Sequence, residues 1–109
     1  MAVIMYYPLP DNPTKEDYSN LLLETISYVN ALKNSEIDDY LYTLIIEQLI
    51  DIKEMIVDKR ELIDEDEINE RYSLGGIATR NFEEGNEMRE RLCAIFSGAM
   101  DFAFLPEKE

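Results

Sequence analysis

Between Ser35 and Ile63 the chain reads SEIDDYLYTLIIEQLIDIKEMIVDKRELI, a run without glycine or proline. Its apolar residues Tyr42, Ile45, Leu49, Ile52, Met55/Ile56 and Ile63 alternate steps of three and four, which keeps them on one face of an α-helix. The spacing therefore predicts one long helix over 35–63. In its first half Ile37, Tyr40, Leu41, Tyr42, Leu44, Ile45 and Ile46 nearly encircle the axis, so that half is expected among several neighbours. Beyond Asp51 the stripe narrows and one neighbour suffices, because the width of an apolar stripe follows the number of surfaces that cover it.

The flanking segments carry their own boundaries. Thr14 and Asp17 stand at capping-box spacing and start a helix over 14–33 whose inner face is Tyr18, Leu21/Leu22, Thr25/Ile26, Val29 and Leu32. Ser35 and Asp38 repeat that spacing, so the connection is short and the two helices are expected to form an antiparallel hairpin. Asp64 with Glu67 caps a third helix over 65–74. Gly75-Gly76 then predicts a loop or sharp kink, since two adjacent glycines cost a helix interior about 2 kcal/mol relative to alanine. A last helix, capped by Asn81 with Glu84, is expected over 82–104, with Met88, Leu92, Ile95, Ala99 and Phe102 as its stripe. Gly98 lies inside it, where the absence of a side chain points to close approach of another helix. Residues 1–11, apolar and then broken by Pro8 and Pro10, are expected as an extended arm that clips over its own core or swaps between subunits. The closing PEKE is expected to fray. The expected fold class is all-α: a small four-helix bundle-like domain with one long central helix and a short extended N-terminal arm, one domain by its 109 residues.

Charge narrows the function classes. The 24 acidic against 10 basic residues give a net charge of -14, which repels nucleic acid and anionic membrane surfaces alike. No segment approaches the ~20 apolar residues of a membrane span, and MAVIMYYPLP lacks the basic start of an export signal. Cys93 is the single cysteine, so no internal disulfide forms, and a cytoplasmic location is expected. Histidine is absent, which removes the Ser-His and Cys-His nucleophile schemes and every histidine-containing metal site. Cys93 borders the buried stripe of the last helix and reads as a small core residue. No phosphate-binding loop, dinucleotide fingerprint or calcium loop occurs. No cofactor and no metal are expected, and no catalytic residue is assigned.

The acids themselves are patterned. Glu47, Asp51, Glu54, Asp58, Glu61 and Glu65 follow the same three-and-four alternation, which a continuous helix would display as a carboxylate row with a member every ~5–6 Å. Asp64, Asp66 and Glu67 extend it into DKRELIDEDEINE (58–70), which holds seven acids against two bases. One reading is a solvated face. The other is a surface for a basic partner, because a protein that keeps so repulsive a field can use it to accelerate capture by ~10–10³-fold. Arg60, Arg71, Arg80, Arg89 and Arg91 lie among the densest acids, where they either pair internally or serve an anionic ligand at the glycine pair. Glu87 and Arg91 stand at the favourable i,i+4 spacing for internal pairing.

Two resemblances frame the function. Glu67/Glu70 and Glu84/Glu87/Glu90 resemble the paired Glu-x-x-Glu and Glu-x-x-Asp motifs of the all-α nucleotide pyrophosphatases, which would imply magnesium-dependent hydrolysis. The second motif here lacks its aspartate, and no lysine lies between the sets. In size and surface the chain resembles nuclease-toxin immunity proteins and DNA-mimicking inhibitors, whose carboxylates stand in for phosphates. That resemblance implies a non-enzymatic inhibitor of a basic protein, with Glu47, Asp51, Glu54, Asp58, Glu61, Asp64, Glu65, Asp66 and Glu67 as the partner-binding residues. The alternative of another class is a helical scaffold or adaptor subunit that acts by oligomerising, a homodimer included, through apolar faces.

Overall fold

The computed structural model describes residues 8–10, 12–35, 39–62 and 64–107, and the fold is all-α and bundle-like. Among the described residues five α-helices follow in order: α1 (Lys15–Ser35), α2 (Asp39–Ile52), α3 (Glu65–Arg71), α4 (Leu74–Asn81) and α5 (Glu87–Asp101). A π-helical segment, Lys53–Asp58, continues α2, a 3₁₀ turn, Phe102–Phe104, ends α5, and no strand occurs among the described residues.

The first helix opens as a reciprocal box. The Asp17 amide donates to Thr14 Oγ1 at 3.1 Å and the Thr14 amide donates to Asp17 Oδ2 at 3.0 Å, satisfying two amides that a helix start leaves open. Tyr18, Leu21, Leu22, Thr25 and Val29 form its buried face. Lys15 shares a cleft with Arg60 and Ser19 shares another with Val57, so the α2–π helix runs back antiparallel along α1. Ser35 is the last residue of α1, and the expected Ser35–Asp38 cap falls on 36–38, outside the described residues. The expected arm lies outside them as well, apart from 8–10, of which Leu9 packs against the core.

The long helix ends sooner than its composition predicts. Ile45, Leu49, Ile52 and Ile56 are buried in steps of four, three and four, but the next positions on that face are Lys59 and Arg60. With nothing apolar left to cover, the helix widens and closes: the amides of Glu61 and Leu62 both donate to the Met55 carbonyl. Arg60 takes the left-handed conformation at φ 55°, which costs a non-glycine residue roughly 1–2 kcal/mol. The turn returns Leu62 to the core, and Ile63 lies outside the described residues. The first half is not encircled either, for Tyr40 is exposed and Leu41, Tyr42, Leu44 and Ile46 are half-buried. Among the described residues α1 covers one flank and the α3–α4 junction meets the other through Gln48 and Asp51.

Two further expectations are corrected. Gly75-Gly76 lies inside α4, in its first turn, and the break in the chain falls earlier, at extended Tyr72 and the non-helical Ser73 that follows it. A Cβ on Gly75 would stand 3.0 Å from the Phe96 ring, so the glycine lets α4 lie close on α5, and this packing overrides its poor helix propensity. The last helix starts at Glu87, not near Asn81. Asn81 ends α4, donating from Nδ2 to the Ile77 carbonyl, while Gly85 at φ 87° turns the chain and the Asn86 side chain accepts from the Met88 amide at 2.8 Å. Gly98 lies where α1 presses on α5: a Cβ there would stand 2.7 Å from the Tyr18 ring. Tyr18 is fully buried, donates its hydroxyl to the Ile95 carbonyl at 2.6 Å and tilts against Phe102.

Of the closing PEKE, Pro106 and Glu107 are docked rather than frayed, while Lys108 and Glu109 lie outside the described residues. The Lys15 amide donates to the Pro106 carbonyl at 2.7 Å, Lys15 Nζ donates to the Leu105 carbonyl, and Glu107 accepts two bonds from Arg60. Lys15 and Arg60 both stand over the Phe102 ring, at 5.5 and 5.7 Å.

Candidate interaction surface

The carboxylates proposed from the sequence divide into those the fold employs and those it leaves free. Asp51 is employed. Arg71, in the last turn of α3, donates through Nε to Asp51 Oδ2 at 2.6 Å and through a second nitrogen to Oδ1 at 3.0 Å, a bidentate pair. The Tyr72 hydroxyl donates to the same Oδ2 at 2.6 Å. These contacts hold the Asp51 carboxyl below the usual carboxylate range, the Arg71 hydrogen bond foremost, while burial and the neighbouring carboxylate push the Tyr72 phenol up. One turn earlier Gln48 reads the same junction, accepting from the Ser73 amide at 3.0 Å and donating to Ser73 Oγ at 2.9 Å. Gln48 and Asp51 thus clip α2 to the α3–α4 junction.

Asp64 is employed too. Its Oδ1 accepts from the amides of Asp66 at 2.9 Å and Glu67 at 3.2 Å, the cap expected of it. Glu54 and Asp58 make exposed ion pairs with Lys59 and Lys53, at 3.0 and 2.7 Å, whose attraction water and salt screen.

The remaining acids stand exposed. Glu47, Glu61, Glu65, Asp66, Glu67 and Glu70 form no ion pair among the described residues. Glu47 lies with Asp51 and Arg71 in one shallow depression, and Glu67 and Glu70 lie with Arg71 in the next. Arg71 therefore sits between two patches of free carboxylates, its own charge committed to Asp51. The end of the helix at Asp58 removes Glu61 and Glu65 from any single helical row, and the acids are spread over the outer side of α2, the 59–64 turn and the first turn of α3.

The arginines serve mostly the fold. Arg60 pairs with Glu107, Arg71 with Asp51 and Arg91 with Glu87 at 2.9 Å, while Arg89 donates to the Phe82 carbonyl. Arg91 also donates to the buried Thr25 hydroxyl at 3.0 Å and stacks over Tyr28, tying α5 to α1. The glycine pair presents no turn to an anion, being helical and packed. Burial pushes the half-buried Cys93 thiol up, away from the thiolate form a nucleophile needs. Among the described residues no three acids or thiols gather as a metal-holding group. No helix is long and apolar enough to cross a membrane among those residues.

Sequence reasoning missed the clasp of Lys15, Arg60 and Glu107, whose members are 45 and more residues apart and carry no shared motif. It missed the Gln48–Ser73 contact for the same reason, and it took Asp51 for a free member of the row because a partner in another helix leaves no mark on helical spacing. No curated protein and no solved structure matches the chain. Residues 17–100, from the first turn of α1 to the last of α5, match the model of the Tsi6 family, type VI secretion immunity proteins, and the chain belongs to that family.

Proposed function

We propose that the chain is a non-enzymatic, cytoplasmic immunity protein that neutralises a toxin by covering a basic surface, of the kind a nucleic-acid-cleaving enzyme presents to its substrate. Family membership supports the inhibitor. The observation that carries the electrostatic part is the set of exposed carboxylates that form no ion pair among the described residues, Glu47, Glu61, Glu65, Asp66 and Glu67, kept in a chain of net charge -14. Glu54 and Asp58 join them, since exposed lysine pairs exchange readily for a partner's cations. Asp51 and Asp64 contribute field rather than contact, because both are held by the fold.

The test uses an inactive form of the toxin that co-expression of this chain neutralises. Replacing Glu47, Glu54, Asp58 and Glu61 by Gln and Asn should slow association by roughly 10–10³-fold at low salt and flatten the salt dependence of the rate. Thermal stability should hold level or rise, since like charges are removed. A variant that associates as fast as the parent at low salt would make these acids a solubilising face. A scaffold subunit, in contrast, would hold its partner as salt rises.

A further inference from the structure

Leu23 and Ile50 are 44% and 49% exposed, two of the four large apolar side chains that stand out of the surface among the described residues. They lie on different helices, and the register of those helices brings them to one seam. Ser19 lines a cleft with Val57, so its flank of α1 faces α2, and Leu23, one turn on, continues that flank. On α2 the Gln48–Asp51 flank is taken by the α3–α4 junction, and Ile50 lies about as far round from the buried stripe on the opposite side, which is the α1 side. The antiparallel register, Lys15 beside Arg60 and Ser19 beside Val57, sets Leu23 and Ile50 within about one turn of each other along the seam. Half-buried Ile46 extends the strip by a turn.

Glu47 and Glu54 border this strip on the outer side of α2, while half-buried Lys53, already paired to Asp58, stands on its α1 side. Exposed Asn20 and Ser27 border it on α1. The patch has the anatomy of an interface, in which a small apolar centre excludes water and a polar rim steers and selects. A rim of exposed charge alone raises association rate more than it lengthens the life of a complex.

We propose that Leu23, Ile46 and Ile50 form the water-excluding centre of the toxin-binding face, and that the toxin meets it with an apolar cluster rimmed by lysine or arginine on the Glu47–Glu54 side. This rests on the reading of the chain as an acidic inhibitor. A second copy fits the patch poorly. A two-fold contact would bring Glu47 and Glu54 of both copies to the same seam, in a chain of net charge -14.

The full chain carrying Leu23→Gln and Ile50→Gln should bind the same inactive toxin roughly 30-fold or more weakly, the scale of losing central interface side chains. The loss should lie in the dissociation rate, with the salt slope of association and the melting temperature unchanged, because neither side chain is buried. Binding with the parent's dissociation rate overturns the proposal. If the same double variant turns a parental dimer into a monomer in sedimentation, the patch belongs to a second copy and the proposal falls. It also falls if deletion of residues 1–7 raises hydroxyl-radical labelling of Leu23 and Ile50, since the chain then covers its own patch. The Glu47→Gln/Glu54→Gln/Asp58→Asn variant separates the two readings. Full-speed association there with fast dissociation from the apolar variant removes the electrostatic reading and keeps the centre, and the reverse pattern does the opposite.

Discussion

The seam between α1 and α5 and the seam between α2 and the α3–α4 junction both join helices far apart in the chain, with different materials. At the first, Tyr18 is buried against Phe102 and the bare backbone of Gly98, and its only polar atom is satisfied by the Ile95 carbonyl. At the second, Asp51, Arg71, Gln48 and Ser73 meet through hydrogen bonds at the protein surface. Burial of a large ring removes much apolar area from water and fixes how closely two helices approach. Surface hydrogen bonds exchange water contacts for protein contacts at little net gain, and what they fix is orientation. The apolar seam should therefore carry stability, and the polar one should carry the placement of α3 and its free acids.

Tyr18→Ala is the strongest challenge to that division. Loss of a buried aromatic side chain that packs on Phe102 should cost about 3–5 kcal/mol in urea unfolding, a large part of a small domain's total. A cost under ~1 kcal/mol would mean that the seam collapses freely around the gap.

Gly98→Ala comes next. Alanine gains ~1 kcal/mol in helix propensity, yet its methyl would stand 2.7 Å from a ring that is fully buried and tethered through its hydroxyl. Overpacking of that kind costs typically ~1–3 kcal/mol, so the net change should be destabilising and visible in the melting temperature.

Asp51→Asn probes the polar seam. The pair is partly exposed, with 33% and 46% of its side-chain surfaces accessible, so screening should limit the loss to about 1 kcal/mol or less. Its pH dependence follows from the sign of the shift. The folded pKa lies below the unfolded value of ~3.9, so the contribution is complete above that value and disappears as pH falls through the folded pKa. The difference between parent and variant should be constant from about pH 5 to 8 and shrink below ~4, as read from urea titrations at each pH. Hydrogen exchange should quicken in 65–71 more than in α5; equal quickening would show that the clip does not place α3.

Gly75→Ala is the smallest and sharpens the contrast with Gly98. Its added methyl would meet the half-buried Phe96 ring at 3.0 Å, a side chain that can swing outward. The ~1 kcal/mol propensity gain should then offset the crowding, leaving stability level or slightly raised on calorimetry. A loss as large as that of Gly98→Ala would make α4 and α5 as tightly seated as α1 and α5.

What the sequence determined by itself is what neighbours within a turn decide. The Thr14–Asp17 box, the Asp64 cap and the stripes of α1 and α5 depend on residues three and four apart, and each was readable before any tertiary contact was known. The stop after Asp58 was also written locally, in Lys59 and Arg60 on the apolar face, although the stripe seemed to resume at Ile63. The remainder turned on partners far away in the chain. The glycine pair is helical because α5, through Phe96 against Gly75, lies on α4, where glycine propensity predicts a break. Asp51 left the row because Arg71 and Tyr72 reach it from α3, and Glu107 is held because Arg60 and Lys15 converge on it. Helical periodicity places a carboxylate on a face, but only the packing of another helix decides whether that face meets solvent, a partner protein or an arginine of its own chain.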